Sequence, residues 1–298
     1  MNELRNLIRA EILDDNAADP GPLIRHVLDK SHNQDGISSI LLYGSGLWKN
    51  SGQDTVWDFH VLVDNYADFT QKKWHRLAGF LLSPNVYYFE LPSRNLRCKC
   101  NVMRLDQFQK QAAGKCISPH IWARFAQPCR LIYSRSHTDC EHVTEALADC
   151  VTTFYKFARN LDRASLSQGG DIWVNGLKKT YSLELRSERP ERARLIYETS
   201  QDSFERRNLA LLKSEYGQKA QNTPTPRYGP LKTCLVKAIG FLRLLKSATT
   251  FEGGVDYALW KVHRHSGIRI EPSEFQRKHP LIAGWPILWK LWRKGALK

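Results

Sequence analysis

Two neighbouring stretches of the sequence decide the fold: Leu41-Leu42-Tyr43-Gly44-Ser45-Gly46 and Val56-Trp57-Asp58-Phe59-His60-Val61-Leu62-Val63. Both are rich in residues that favour strands, and a polar loop separates them. The pattern predicts two strands joined through a glycine turn. Because side chains alternate between the two faces of a strand, Asp58 and His60 are expected on one face and Phe59 and Val61 on the other.

Strands and helices alternate around this pair. Besides the two strands above, strand-like runs are predicted at 86–90, 97–104 and 129–134, with a helix around 68–82. Before them, Pro20 and Pro22 divide the first 30 residues into two amphipathic helices. The expected fold class is α+β, with an N-terminal mixed sheet and flanking helices followed by a mostly helical domain.

The second half of the chain follows a helical period. Apolar residues at three-four spacing predict helices at 138–165, 170–187, 190–217 and 231–247. The predicted organisation is a sheet domain over 1–137, a helical domain over 138–247, and a basic, tryptophan-rich segment over 248–298.

Composition limits the classes of function. The 298 residues are 42% hydrophobic, which is enough for a sizeable core, and 44 basic against 30 acidic side chains give a net charge of +14. Such a charge predicts an anionic partner. The seven cysteines are scattered, so a structural zinc site is not expected. The sequence shows neither a signal peptide nor a long apolar span, which favours a cytoplasmic protein.

A glycine turn followed by a strand with an acidic residue is typical of the polymerase-β-type nucleotidyltransferases, and this chain resembles them at Gly44-Ser45-Gly46 and Asp58. The chemistry explains the pattern. Glycines let the backbone approach a triphosphate closely, and an acidic side chain on the next strand holds Mg²⁺ against the phosphates. The usual second carboxylate is replaced here by His60, and imidazole is a poor ligand for Mg²⁺.

One branch of that superfamily matches further along the chain. The sequence is similar to the mitochondrial-type CDP-diacylglycerol synthases, which are soluble phosphatidate cytidylyltransferases. Four landmarks carry the resemblance in order: Tyr43-Gly44-Ser45-Gly46-Leu47-Trp48, Asp58-Phe59, Pro84-Asn85-Val86-Tyr87 with Lys99-Cys100-Asn101-Val102-Met103 after it, and Arg124-Phe125-Ala126-Gln127-Pro128. The resemblance covers about residues 35–135, and Asn101 and Gln127 depart from its pattern.

The resemblance implies an activity, in which CTP and phosphatidic acid give CDP-diacylglycerol and pyrophosphate with Mg²⁺ as cofactor. It implies three overlapping sets of residues: catalytic Asp58 and Lys99; nucleotide-binding Gly44, Ser45, Gly46 and Arg124; and metal-binding Asp58 and His60. For His60, a neutral strand histidine that hydrogen-bonds a neighbour is the alternative to a place in the second shell of the metal or a contact with substrate.

Two other functions remain open at this stage. The chain could be a nucleotidyltransferase for another phosphorylated or hydroxyl acceptor. It could instead be a non-catalytic nucleotidyltransferase-like protein that binds RNA or anionic lipid through its positive charge. A nucleic acid is the less favoured partner.

The C-terminus has the composition of an interfacial segment. Three tryptophans and several bases lie close together without an acid: Trp285, Trp289, Lys290, Trp292, Arg293 and Lys294. Tryptophan favours the headgroup level of a bilayer, and bases are attracted to anionic lipid. The expected location is therefore peripheral, on the inner face of a bacterial cell membrane; a C-terminal helix docked on the protein core is the alternative.

Overall fold

The computed structural model describes residues 3–14, 20–47, 56–161, 169–184, 191–213, 226–250 and 271–275. The predicted C-terminal membrane segment at Trp285–Lys298 lies outside these residues, as does most of the predicted third domain.

Five strands form one mixed sheet in the order β3-β4-β2-β1-β5. Their bounds are β1 Ile37–Tyr43, β2 Val56–Val63, β3 Asn85–Leu91, β4 Leu96–Arg104 and β5 Arg130–Ser134. Strands β2 and β4 are parallel and all other pairs are antiparallel. Every residue of β1 is buried, as expected for an inner strand that is covered on both faces.

Helices flank the sheet and then dominate the chain. In order they are α1 Glu3–Ile12, α2 Gly21–Lys30, α3 Tyr66–Phe69, α4 Lys73–Leu81, α5 Leu105–Ala112, α6 His120–Phe125, α7 His137–Arg159, α8 Gly169–Leu183, α9 Glu191–Thr199, α10 Gln201–Lys213 and α11 Pro230–Thr250. The prediction of an N-terminal mixed sheet followed by a mostly helical region is confirmed. Among the described residues, no helix combines the length and the apolar character needed to cross a membrane.

Two predicted helices are interrupted. The helix expected at 68–82 is instead α3 and α4, because Thr70 takes an extended conformation (φ −142°, ψ 138°) after Phe69 has turned into the core. The helix expected at 190–217 is divided at Ser200 into α9 and α10. Apolar periodicity continues across both breaks, so the sequence pattern did not reveal them.

The two faces of the sheet belong to different cores. On one face, Leu41 and Leu62 belong to the larger core, which also contains Val143 and Phe154 of α7 and Leu211 of α10. The smaller core lies on the other face, under α2 and α3, and consists of the following buried residues: Leu23, Val27, Ile37, Ile40, Leu42, Trp57, Phe59, Val61, Val63, Phe69, Tyr87, Cys98, Cys100 and Val102. The larger core joins the sheet directly to the helices that follow it.

A buried ion pair ties the first helix to the helical region. Arg207 of α10, only 1% exposed, donates from Nε and Nη2 to the Glu11 carboxylate at 2.8 and 2.6 Å. Its Nη1 donates to the Ala126 carbonyl at 2.8 Å. The guanidinium is thus paired on every side, which a buried charge requires.

Glu11→Gln is expected to lower the free energy of unfolding by about 3 kcal/mol, because it leaves the Arg207 charge buried without a counter-charge. The matched control is Glu3→Gln, since Glu3 also joins α1 to α10, through Lys213 at 3.7 Å, but is half-exposed. That change should cost less than about 1 kcal/mol. Urea unfolding of both variants measures the difference; equal losses would contradict the prediction.

Candidate active site

The end of β1 and the turn after it form one wall of the candidate site. Gly44 has φ +76°, in the left-handed region that favours glycine. A Cβ placed on it would lie 3.2 Å from Oδ2 of Asp58. The exposed backbone of this turn therefore stands directly against the carboxylate, with no side chain between them.

The register of the strands places the predicted catalytic residues Asp58 and Lys99 side by side. Asp58 of β2 is paired with Tyr43 of β1 on one side and with Lys99 of β4 on the other. Paired residues on neighbouring strands lie about 5 Å apart and point to the same face. The three side chains therefore form a row across the sheet, on the face of the larger core, to which Tyr43 belongs.

A cation from the helical layer lies over this row. Arg124, near the end of α6, places its guanidinium carbon 5.0 Å from the centre of the Tyr43 ring, a cation–π contact. Burial alone would lower the pKa of Arg124, but Tyr43, Glu184, Asp58 and Tyr181 together raise it above its ordinary value. Arg124 is thus a permanent positive charge that faces the carboxylate from the side opposite the sheet.

Tyr43 is held in place from below. The side-chain amide of Asn101 donates a hydrogen bond to the Tyr43 hydroxyl. Asn101 lies on β4, where the register of the parallel pair places it beside His60 of β2. Asn101 therefore has a local role. It orients the ring on which Arg124 rests.

His60 lies in an aromatic enclosure. The residue is 2% exposed, and its ring lies 5.0 Å from Phe125, 5.5 Å from Phe108 and 6.4 Å from Tyr43, measured between ring centres. Burial lowers the pKa of His60 to about 3, and the Arg124 charge adds to the lowering. The imidazole is therefore neutral at physiological pH, and its Nε2 has no hydrogen-bond partner among the described residues.

The residues suit Mg²⁺ unequally. Asp58 is partly exposed and offers the hard oxygen ligand that Mg²⁺ prefers, and this ion commonly completes its shell with water and phosphate oxygens. His60 offers a nitrogen, which suits Mg²⁺ poorly, and it is buried among aromatic rings. Within the described part of the chain, no group of three or more histidine, cysteine or acidic side chains could hold a metal ion. The geometry favours Asp58 as the metal-holding residue.

Other carboxylates of the sheet are engaged elsewhere. Asp64, directly after β2, forms an ion pair with Arg135 at 2.6 Å. Glu90 of β3 accepts a hydrogen bond from Tyr88 at 2.7 Å and lies 3.5 Å from Arg97. Both carboxylates are therefore engaged by arginines rather than placed as a second acidic ligand next to Asp58.

The three residues of the glycine turn differ in their surroundings. Gly44 faces Asp58, whereas Gly46 is buried, and a Cβ on it would lie 3.0 Å from the Trp57 ring. Its lack of a side chain thus serves packing on the smaller core. The Ser45 side chain lies outside what the structure describes, so its predicted contact with nucleotide stays a prediction.

Two residues near the end of α8 also influence Arg124, and the sequence did not assign either of them a role in the site. Tyr181, in the last turn of that helix, and Glu184, directly after it, both raise the pKa of Arg124. A helical period marks Tyr181 only as a core residue, and Glu184 follows the last helical turn. No local signal in the sequence connects either of them with Asp58.

Comparison with known proteins adds no assignment to this geometry. No protein-family model matches the sequence, and no curated protein is similar to it at a significant level.

Proposed function

We propose that the protein is a nucleotidyltransferase that uses CTP and Mg²⁺ to convert phosphatidic acid into CDP-diacylglycerol and pyrophosphate. The observation that supports this most is the convergence of the Gly44 backbone, Asp58, Lys99 and Arg124 at one end of the sheet. Backbone, carboxylate and two cations together suit a nucleoside triphosphate with its metal ion.

In this proposal some residues contact the triphosphate and others neutralise its negative charge. Gly44 lets the triphosphate approach the backbone, while Lys99 and Arg124 face its charge from the sheet and from α6. Two cations cannot neutralise a triphosphate by themselves. The Asp58 carboxylate would hold Mg²⁺, which when bound neutralises further phosphate charge.

The reaction needs little acid–base chemistry. A phosphate oxygen of phosphatidic acid bonds to the α-phosphorus of CTP. The bond between the α-phosphorus and the oxygen that bridges it to the β-phosphorus breaks, which releases pyrophosphate. Because the acceptor is already ionised near neutral pH, no general base is required. A site with one partly exposed carboxylate and two cations therefore suits this acceptor better than an alcohol, which must lose a proton.

The proposal extends to location. Phosphatidic acid stays in the bilayer, so we expect the protein at an anionic membrane surface on the cytoplasmic side. The positive charge of the chain supports this expectation. The predicted contacts of the C-terminal tryptophans and bases stay predictions.

Release of pyrophosphate from CTP tests the activity. We expect release with phosphatidate vesicles and Mg²⁺, CDP-diacylglycerol as the lipid product by mass spectrometry, and no release without lipid or with EDTA. Release with a soluble phosphorylated or hydroxyl acceptor instead would favour the broader nucleotidyltransferase function. No release with any acceptor would contradict an enzymatic role.

One observation favours the non-catalytic alternative. Among the described residues, no group of three or more histidine, cysteine or acidic side chains could hold a metal ion, and Asp64 and Glu90 are each paired with an arginine. A protein that only binds anions would still bind CTP without turnover, so calorimetric binding together with absent pyrophosphate release would identify it.

A further inference from the structure

Helix α4 carries its large apolar side chains on the outside. Trp74, Leu77, Phe80 and Leu81 are between 53% and 71% exposed, and we call these four residues the α4 patch. Their spacing places them on one side of the helix. A surface helix of a folded protein normally turns that side toward the core.

The buried side of α4 explains why the large apolar residues face outward. Ala78 and Gly79 are buried, and a Cβ on Gly79 would lie 2.5 Å from the ring of Tyr66. His75, also buried, hydrogen-bonds the Tyr87 hydroxyl through Nδ1 at 3.2 Å. The small residues Ala78 and Gly79 thus allow the helix to pack closely against Tyr66. This close packing leaves no room for bulky side chains on the buried side of the helix.

Hydrogen bonds from other elements hold the backbone that carries the patch. At the C-terminal end of α4, Gln107 donates to the Phe80 carbonyl at 3.1 Å, and Arg243 of α11 donates to the Ser83 carbonyl at 2.9 Å. Lys246 of α11 donates to the carbonyls of Leu82 and Pro84. The exposed side chains therefore project from a backbone that is held on several sides.

The stretch of sequence that carries the patch is basic. Lys72, Lys73 and Arg76 lie at its N-terminal end, and residues 69–89 contain no acidic side chain. Lys73 is exposed, and its position in the helical period places it on the same side as the patch. An exposed apolar surface with a tryptophan and flanking bases matches the interface of an anionic bilayer.

We infer that the α4 patch is the surface by which this protein docks on an anionic lipid bilayer. A second copy of the chain fits poorly, because pairing two patches would bring their bases together without a counter-charge. The inference rests on the proposed function in one respect, which is that the acceptor remains in the membrane. Bilayer binding itself is measurable without turnover.

Vesicle sedimentation tests the surface with full-length protein. Vesicles of phosphatidylcholine with phosphatidylglycerol should bind it, and pure phosphatidylcholine vesicles should bind it weakly. Trp74→Gln with Phe80→Gln should weaken binding to the anionic vesicles about tenfold without lowering the melting temperature. The matched control, Leu195→Gln with Leu212→Gln, removes two comparably exposed apolar residues of α9 and α10 (52% and 58%) and should stay within about twofold of the wild type.

Depth of insertion gives a second measurement. Brominated lipids quench tryptophan on contact, and the difference between wild type and Trp74→Phe isolates the contribution of Trp74. We expect quenching that this variant loses. Unchanged binding of the Trp74→Gln, Phe80→Gln variant, equal loss in the control, or loss only when 285–298 are removed would overturn the inference.

The same variants separate this inference from the proposed function. With a short-chain, water-soluble phosphatidate, the Trp74→Gln, Phe80→Gln variant should release pyrophosphate at the wild-type rate. If the wild type releases none from any acceptor but still binds vesicles through the patch, the proposed function fails and the docking surface stands.

Discussion

Replacement of Asp58 by asparagine is expected to reduce pyrophosphate release from CTP by about a hundredfold or more. The amide keeps the shape of the side chain but lacks the negative charge that, under the proposed function, would hold Mg²⁺. Since Asp58 is only partly buried, the melting temperature should change little. A coupled pyrophosphate assay at saturating CTP and lipid measures the effect.

Glu90→Gln is the matched control for that experiment. Glu90 lies on β3 of the same sheet, but it is exposed and engaged by Tyr88 and Arg97. Its variant should keep most of the activity. If Asp58→Asn retained more than about a tenth of the wild-type rate, Asp58 would not be the residue that holds the metal.

The second large effect is expected at Gly44. Gly44→Val should weaken CTP binding by about thirtyfold or more, because a branched side chain both strains a backbone at φ +76° and fills the space next to Asp58 Oδ2. The strain should also cost about 1–2 kcal/mol of stability. Isothermal calorimetry with CTP in the presence of Mg²⁺ measures the affinity.

Gly114→Val separates strain from obstruction. Gly114 has nearly the same backbone angle, φ +74°, but faces Thr153. This variant should lose stability while its affinity for CTP stays close to wild type. Comparable losses of affinity in both variants would mean that the Gly44 turn does not contact nucleotide.

The sheet could be predicted because its strands carry a strong local signal. Alternation placed Asp58 and His60 on one face, and their common face toward the larger core agrees with the burial of His60. The glycine turn likewise marked a backbone that only glycine adopts easily. These features depend on a few adjacent residues, which a sequence displays directly.

The rest depends on packing between distant segments. Nothing near Arg124 in the sequence indicates that its guanidinium rests on Tyr43, since that contact is fixed by how α6 crosses the sheet. The outward direction of Trp74 follows from the close fit of Gly79 against Tyr66, which is also a tertiary effect. Periodicity alone would have placed that tryptophan in the core.

The larger core determines how much the candidate site can change shape. Leu62 and Met103, from two strands, share this core with Phe154 of α7, Leu177 of α8 and Leu211 of α10. Moving the helices away from the sheet would expose these side chains to water, at about 25 cal/mol for each Å². The sheet and the helices that carry Asp58 and Arg124 are therefore one cooperative unit. The entropy cost of ordering the site falls on folding, so a ligand does not have to meet that cost when it binds.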